Sequence, residues 1–170
     1  MRAGAQGVGR RMRRIYALAI NLALLMATPG LATADTGLTS QQAIDYVIAR
    51  GLSQRGVPFV YGGGNAVGPS RGTDPAVPTV GFDASGLIQY AFAGVGLKLP
   101  RPSGEQYNVG RKVAPAQARR GDLIFYGPAG SQSVAMFLGN GQMVEATEPV
   151  VMVSPVRTGN MTPYLTRIFE

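Results

Sequence analysis

The chain has 170 residues and a formal net charge of +7, and it contains neither histidine nor cysteine. This length suits a single domain with an appendage. Without cysteine there is no disulfide, no thiolate nucleophile and no thiolate metal site. Without histidine the usual general base near neutral pH is absent, which excludes Ser-His-Asp and Cys-His catalysis and HExxH zinc chemistry.

The first 34 residues have the pattern of a secretory signal peptide. Five arginines fall within the first fourteen residues, an apolar run follows at 15–26, and the segment ends in Ala-Thr-Ala at 32–34. A basic start, a short apolar run and an A-x-A end are the three parts of such a signal. We expect cleavage before Asp35 and export by the general secretory route rather than the twin-arginine route. An N-terminal membrane anchor is the alternative, although the apolar run is short for a membrane span.

The remainder of the chain is nearly neutral. Residues 35–170 carry 11 basic and 9 acidic residues, so the positive charge is concentrated in the predicted signal peptide. A nucleic-acid-binding surface needs a basic patch on the folded domain. The sequence therefore predicts no nucleic-acid partner, and no membrane span once the signal is cleaved.

Two helices are predicted in the first half of this domain. Apolar residues recur on one stripe of residues 40–56, with Thr39 or Ser40 placed as N-cap. A second stripe occupies 84–93, with Asp83 as N-cap. The Gly- and Pro-rich stretch between the two helices is expected to be a long functional loop.

The second half is expected to consist mainly of strands. Residues 103–110 form at most two helical turns. Gly-Asn-Gly at 139–141 separates two apolar runs and is a strong hairpin signal. Helices followed by strands favour an α+β fold, with the N-terminal helices packed on a roughly five-stranded antiparallel sheet. The five predicted strands lie at 122–126, 133–138, 142–146, 150–153 and 164–169.

Four segments of this domain carry a family resemblance. They read GVPFVYGGG at 56–64, GFDASGL at 81–87, RGDLIFY at 120–126 and SVAMFLGNG at 133–141. In this order and spacing they resemble the NlpC/p60 cell-wall peptidase family, and the likeness extends over roughly residues 40–170. It implies a papain-like fold for a domain at 35–170. It also implies descent from cysteine hydrolases that cut peptidoglycan stem peptides, typically between D-glutamate and diaminopimelate.

The resemblance places the family's catalytic positions on residues that cannot perform the reaction. The family reads D-C-S-G at a helix start, H-V at a strand start, and a polar residue on the next strand. In this chain the cysteine position is Ala84, the histidine position is Ser133 and the third position is Glu145. A methyl group cannot attack a carbonyl, and a neutral serine hydroxyl cannot accept the proton that a base must take. The sequence therefore predicts a non-catalytic member.

Two other catalytic interpretations are weaker. Ser85 follows Ala84 but points about 100° away around the helix, so it is an unsuitable replacement nucleophile. A carboxylate pair of the glycosidase type would have to come from residues that have simpler structural roles. These residues are Asp83, Glu105, Asp122 and Glu145.

The hairpin provides a geometric test of the third position. A two-residue turn at 140–141 would place Ser133 and Glu145 on opposite faces of the sheet, because side chains alternate along a strand. A three-residue loop or a β-bulge would place them on the same face. The resemblance implies the second arrangement.

If the groove persists without its nucleophile, it can still bind a ligand. We expect Asp83, Ala84 and Ser85 on its floor, Ser133 and Glu145 on one wall, Tyr61 on another edge, and Arg101, Ser103 and Gln106 at its rim. The resulting prediction is a secreted, non-catalytic protein of the cell wall or a periplasm-like space that binds peptidoglycan stem peptides as a monomer. It would need no cofactor and no metal. The alternatives are an interaction protein that regulates active peptidoglycan hydrolases, and a residual peptidoglycan endopeptidase.

Overall fold

The two longer helices form where the sequence places an apolar stripe behind a capping residue. The computed structural model describes residues 37–170 and contains α1 at Ser40–Leu52 and α2 at Ala84–Ala93. Thr39 caps α1 through a reciprocal capping box, in which its side chain and that of Gln42 each accept a backbone N–H. The predicted signal peptide, residues 1–34, lies outside the described residues.

The two helices pack against each other and on one face of a sheet. Arg50 of α1 donates through Nε to the Tyr90 carbonyl oxygen of α2 at 2.9 Å, and its guanidinium carbon lies 3.8 Å from the Tyr90 ring centroid. Leu87 and Phe92 of α2 are fully buried in the same core as Met136 of the sheet. The predicted apolar stripe of α2 is therefore the face that enters the core.

The loop between α1 and α2 is held close to α2. It contains a small two-stranded ladder, β1 at Ser70–Arg71 and β2 at Val80–Gly81, which the sequence does not reveal because each strand is only two residues long. Gly64 has φ +85°, and a Cβ built there would lie 2.2 Å from Phe82 Cδ1. Only glycine fits such a close approach, so this glycine keeps the loop against the start of α2.

Six strands form one antiparallel sheet within residues 37–170, in the order β3-β8-β4-β5-β6-β7. A short helix, α3 at Ser103–Tyr107, precedes them. The strands are β3 Arg111–Val113, β4 Leu123–Tyr126, β5 Ser133–Gly139, β6 Gln142–Ala146, β7 Val151–Pro155 and β8 Leu165–Arg167. Helices packed on an antiparallel sheet confirm the predicted α+β fold.

The predicted number of strands was one too low for this sheet. The missing strand, β3, has a single buried residue, Val113, and therefore carries too little alternation to be recognised from the sequence. It forms because its backbone pairs with β8, a contact between distant parts of the chain. The strand predicted at 164–169 is shorter, at Leu165–Arg167.

Both faces of the sheet bury apolar side chains. Phe125 and Val134 face the helices, whereas Ile124 and Ala135 belong to a second cluster on the opposite face. All four residues of β4 are buried, so this strand lies at the centre of the domain. None of the helices within residues 37–170 has the length and hydropathy needed to cross a membrane.

Candidate groove at the start of helix α2

The start of α2 is fixed by Asp83. Its Oδ1 accepts the Gly86 N–H at 2.7 Å and the Ser85 hydroxyl at 3.3 Å, while its Oδ2 accepts the Gly62 N–H at 3.0 Å. One carboxylate therefore caps the helix and anchors the preceding loop. This arrangement places Ala84 in the first turn of α2 with 9% of its surface exposed.

Arg101 completes this cluster. Its guanidinium donates to Ser85 Oγ at 2.7 Å, to the Gly63 carbonyl oxygen at 2.9 Å and to Asp83 Oδ2 at 2.9 Å. From the sequence, Arg101 was expected at the rim as a ligand contact. The structure places it in the groove, with three hydrogen bonds committed to the protein, so its first role is to connect the loop, the helix start and the segment before α3.

A groove of about 580 Å³ opens above these residues. Tyr61 lines it with 77% of its surface exposed, and the same tyrosine also lines a second cavity of about 360 Å³. The structure brings seven of the predicted site residues to the lining of the first groove. They are Tyr61, Asp83, Ala84, Ser85, Arg101, Ser103 and Ser133.

Gln106 does not belong to the groove rim. It has no exposed surface, and its amide nitrogen donates to the Ser85 carbonyl oxygen at 3.1 Å and to the Pro100 carbonyl oxygen at 2.8 Å. The rim prediction was therefore wrong for this residue, because its side chain is directed into the protein toward the backbone of Ser85 and Pro100. Its actual role is to support the backbone beneath the groove.

Ser133 and Glu145 lie on the same face of the sheet. β5 and β6 pair Met136 with Val144 and Phe137 with Met143, and a bulge lies between Phe137 and the pair formed by Gly139. Continuing this register places residue 145 opposite residue 135, and residues 133 and 135 share a face. The bulge thus produces the same-face arrangement, which confirms the geometric prediction.

Glu145 is nevertheless not a groove wall. Only 1% of its surface is exposed. Its Oε1 accepts the Ser154 hydroxyl and Arg157 Nη1, the latter at 2.6 Å, and its Oε2 accepts Arg157 Nη2 at 2.7 Å. The expected ligand contact is thus corrected to an ion pair between the buried carboxylate of Glu145 and the half-exposed guanidinium of Arg157.

The charge of Glu145 is stabilised by these partners. Burial alone would raise the pKa of the Glu145 carboxyl. The opposite effect is larger: hydrogen bonds from Arg157 and Ser154, together with the positive charge of Arg157, lower this pKa below its usual value. The same burial raises the pKa of the neighbouring Tyr126 hydroxyl. Glu145 is therefore an anion and Tyr126 is neutral at pH 7.

Sequence reasoning missed several groove and support residues. Thr73 and Thr147 line the groove, and Arg157 and Ser154 hold Glu145. No local pattern identifies them, since each acts through a contact with a distant segment. Within residues 37–170, no group of three or more histidine, cysteine, aspartate or glutamate side chains is arranged to hold a metal ion.

In this groove the start of α2 faces the first residue of the antiparallel strand β5. The sequence of the chain also matches a known protein family. The sequence model of the NlpC/P60 family matches residues 56–170, so the chain belongs to the NlpC/P60 family. Its relatives include peptidoglycan endopeptidases. The chain is 58% identical over 151 residues to RipA of Mycolicibacterium smegmatis and 60% identical over 133 residues to RipB of Mycobacterium tuberculosis.

The chain spans only part of these relatives. The aligned regions cover 83% of this chain and 30% of RipA, and 77% of this chain and 55% of RipB. Among solved structures, it is similar to RipD of M. tuberculosis, with 68% identity, a TM-score of 0.73 and coverage of 76% of this chain and 99% of that chain. RipD is described as a non-catalytic NlpC/p60 domain protein adapted to peptidoglycan binding. The structure of RipB gives a TM-score of 0.77 at 55% identity, covering 85% of this chain and 75% of that chain.

Proposed function

We propose that this chain is a secreted, non-catalytic member of the NlpC/P60 family that binds the stem peptides of peptidoglycan in the cell wall. The observation that carries the proposal is the combination of a retained groove with the complete absence of cysteine and histidine from the sequence. Loss of a nucleophile or its base typically costs about a million-fold in rate. No residue elsewhere in the chain can supply a thiolate or an imidazole.

The positions in relatives support the assignment of Ala84, Ser133 and Glu145 to the degenerate site. Solved structures of RipA include forms mutated at a cysteine, at a histidine and at a glutamate. The intervals between those three RipA positions equal the intervals between residues 84, 133 and 145 of this chain. The description of RipD as a non-catalytic protein supports the same interpretation.

The composition of the groove suits a peptide ligand. Ser103, Ser133 and Thr147 present hydroxyl groups to it, and Tyr61 offers an exposed ring at the edge. Stem peptides carry amides and carboxylates, which hydroxyl groups and backbone N–H groups can recognise. The methyl group of Ala84 leaves space at the floor, so a bound peptide is retained rather than attacked.

Sedimentation with insoluble peptidoglycan tests the proposal. The expected result is that the protein pellets with the wall material and that no muropeptide appears in the supernatant. An Ala84→Cys, Ser133→His double variant is assayed in parallel, and cleavage by this variant would show that the groove still holds substrate in the reactive geometry. Muropeptide release by the natural chain would refute the non-catalytic proposal and support the residual endopeptidase.

A pair of tyrosine variants localises the binding. Tyr61→Ala removes the exposed ring at the groove edge, and we expect it to weaken pelleting. Tyr164→Ala removes another exposed tyrosine, which does not line the groove, and we expect it to pellet like the natural chain. Equal effects of the two variants would contradict binding in the groove.

If the natural chain does not pellet at all, the second candidate is favoured, namely an interaction protein that regulates active wall hydrolases.

A further inference from the structure

The second cavity, of about 360 Å³, adjoins the groove but differs from it in chemical character. The two share the lining residues Phe59, Tyr61 and Thr73. The second cavity is also lined by two acidic residues, Asp74 and Glu148, neither of which lines the groove. A ligand in the groove can therefore extend past Tyr61 into a space that carries two carboxylates.

Backbone hydrogen bonds hold the walls of this cavity together. The Phe59 N–H donates to the Pro149 carbonyl oxygen at 2.9 Å, and the Thr73 N–H donates to the Tyr61 carbonyl oxygen at 3.2 Å. Gly72 makes the second contact possible, since a Cβ built there would lie 2.1 Å from the Tyr61 carbonyl oxygen. The segments that carry the two acids are thus tied to the two aromatic residues, so no ligand is needed to assemble the cavity.

The protein does not neutralise the two carboxylates of this cavity. Asp74 Oδ1 accepts the Ala76 N–H at 2.9 Å. Among the described residues, Asp74 Oδ2 and both carboxylate oxygens of Glu148 have no hydrogen-bond donor, and neither side chain has an ion-pair partner. The described lining of the cavity contains no lysine or arginine. In the groove, by contrast, Asp83 is paired with Arg101 at 2.9 Å, so the net negative charge lies at the second cavity.

The rest of the lining is largely apolar or aromatic. Val60 is buried, Phe59 is half-buried, and the rings and methyl groups of Tyr61 and Val77 are exposed. Such walls suit a chain of methylene groups, and an exposed aromatic ring attracts a cation. A primary ammonium suits two carboxylates better than a metal ion does, because Ca²⁺ takes about 6–8 oxygen ligands.

We propose that this second cavity binds a ligand side chain that consists of methylene groups and ends in a primary ammonium. The inference rests on the proposed function, since it takes the adjoining groove as the site of a stem peptide. Diaminopimelate supplies a side chain of this kind, and its second amine loses its charge when a cross-link acylates it. It follows that the protein prefers stem peptides that are not cross-linked.

Calorimetric titration of the full chain with three synthetic peptides tests the proposal. The peptides are γ-D-glutamyl-diaminopimelate, the same dipeptide acetylated at the side-chain amine, and the same dipeptide acetylated at the terminal amine. We expect the first and third to bind alike and the second to bind about fivefold to tenfold more weakly, the effect of losing one or two exposed ion pairs. An Asp74→Asn, Glu148→Gln double variant should bind all three peptides with similar affinity.

Glu105→Gln is the matched control, because it removes the charge of an exposed glutamate that lines neither cavity. It should discriminate between the peptides like the natural chain. If the double variant does not fold, Glu148→Gln alone is measured, and it should reduce the discrimination. An unreduced discrimination in either variant would overturn the inference.

The pattern across the peptides separates this inference from the proposed function. Equal binding of all three peptides by the natural chain would overturn the inference and leave stem-peptide binding intact. Weaker binding after terminal acetylation alone, if the double variant removes that difference, would support an ammonium in the cavity and identify the terminal amine as its source. Binding of none of the peptides would overturn the inference and count against the proposed function as well.

Discussion

Replacing Asp83 tests whether a single carboxylate holds the groove floor together. Asp83→Ala removes the N-cap of α2, which is worth about 1 kcal/mol. It also removes the acceptor for the Gly62 N–H, worth about another 1 kcal/mol. The ion pair with Arg101, whose side chain is one-third exposed, adds at most about 1 kcal/mol. We therefore expect Asp83→Ala to lower the free energy of unfolding by about 2–3 kcal/mol.

Asp83→Asn is the matched variant, because an asparagine oxygen can still cap α2. Its amide group cannot accept the Gly62 N–H while it caps the helix, and it cannot pair with Arg101 as an anion. We expect a loss of about 1–2 kcal/mol, so the two variants should differ by about the value of one cap. Urea denaturation at pH 7 measures both, with an unchanged slope as the check that the unfolded states are comparable.

Two outcomes would refute this reasoning. Equal losses in the two variants would show that the cap contributes nothing. A loss below about 1 kcal/mol in Asp83→Ala would show that the floor is held by other contacts, since one N-cap alone is worth that much. The hydrogen bonds from Gly86, Gly62 and Arg101 would then be present but would contribute little to the free energy of unfolding.

Two further predictions concern buried charges. Because the folded-state pKa of Glu145 is below the value of 4.5 expected when unfolded, its contribution to stability is present above about pH 4.5 and is lost as the pH falls through the lowered pKa. The unfolding free energy should therefore decline in this window, and Glu145→Gln should flatten the decline. Arg167→Met leaves the Asp122 carboxylate, now paired at 2.7 and 2.8 Å, buried without its cation. It should cost about 3–5 kcal/mol, as measured by chemical denaturation, and a cost below about 1 kcal/mol, typical of a surface pair, would contradict the assignment.

The elements predicted correctly are those whose local sequence pattern agrees with the contacts that they make in the fold. α2 begins and ends where expected, because Asp83 caps the same segment whose apolar stripe enters the core. The β5–β6 hairpin was predicted from its Gly-Asn-Gly turn. Alternation alone left two arrangements of Ser133 and Glu145 open; the family resemblance implied the shared face, which the bulge between β5 and β6 produces.

The errors share a different physical cause. Glu145 was placed on the groove wall by the family resemblance and Gln106 was a candidate rim contact, yet both are buried and hydrogen-bonded to other parts of the protein. Polarity in a sequence states that a hydrogen-bond partner is required, but it does not state whether the partner is solvent, ligand or protein. The positions of Arg157 and of the Ser85 carbonyl oxygen depend on the completed fold, so no local pattern could have resolved the choice.

The contacts that shape the groove do not involve the side chains at positions 84 and 133. The floor is held by Asp83, Ser85 and Arg101, which bond to one another and to the glycine loop. The two positions that lack reactive groups, Ala84 and Ser133, contribute none of these bonds. A methyl group and a hydroxyl can therefore replace a thiol and an imidazole without removing a contact on which the fold depends. The absence of cysteine and histidine supports the proposed loss of the reaction, and the hydrogen bonds around Ala84 explain how the groove keeps its shape.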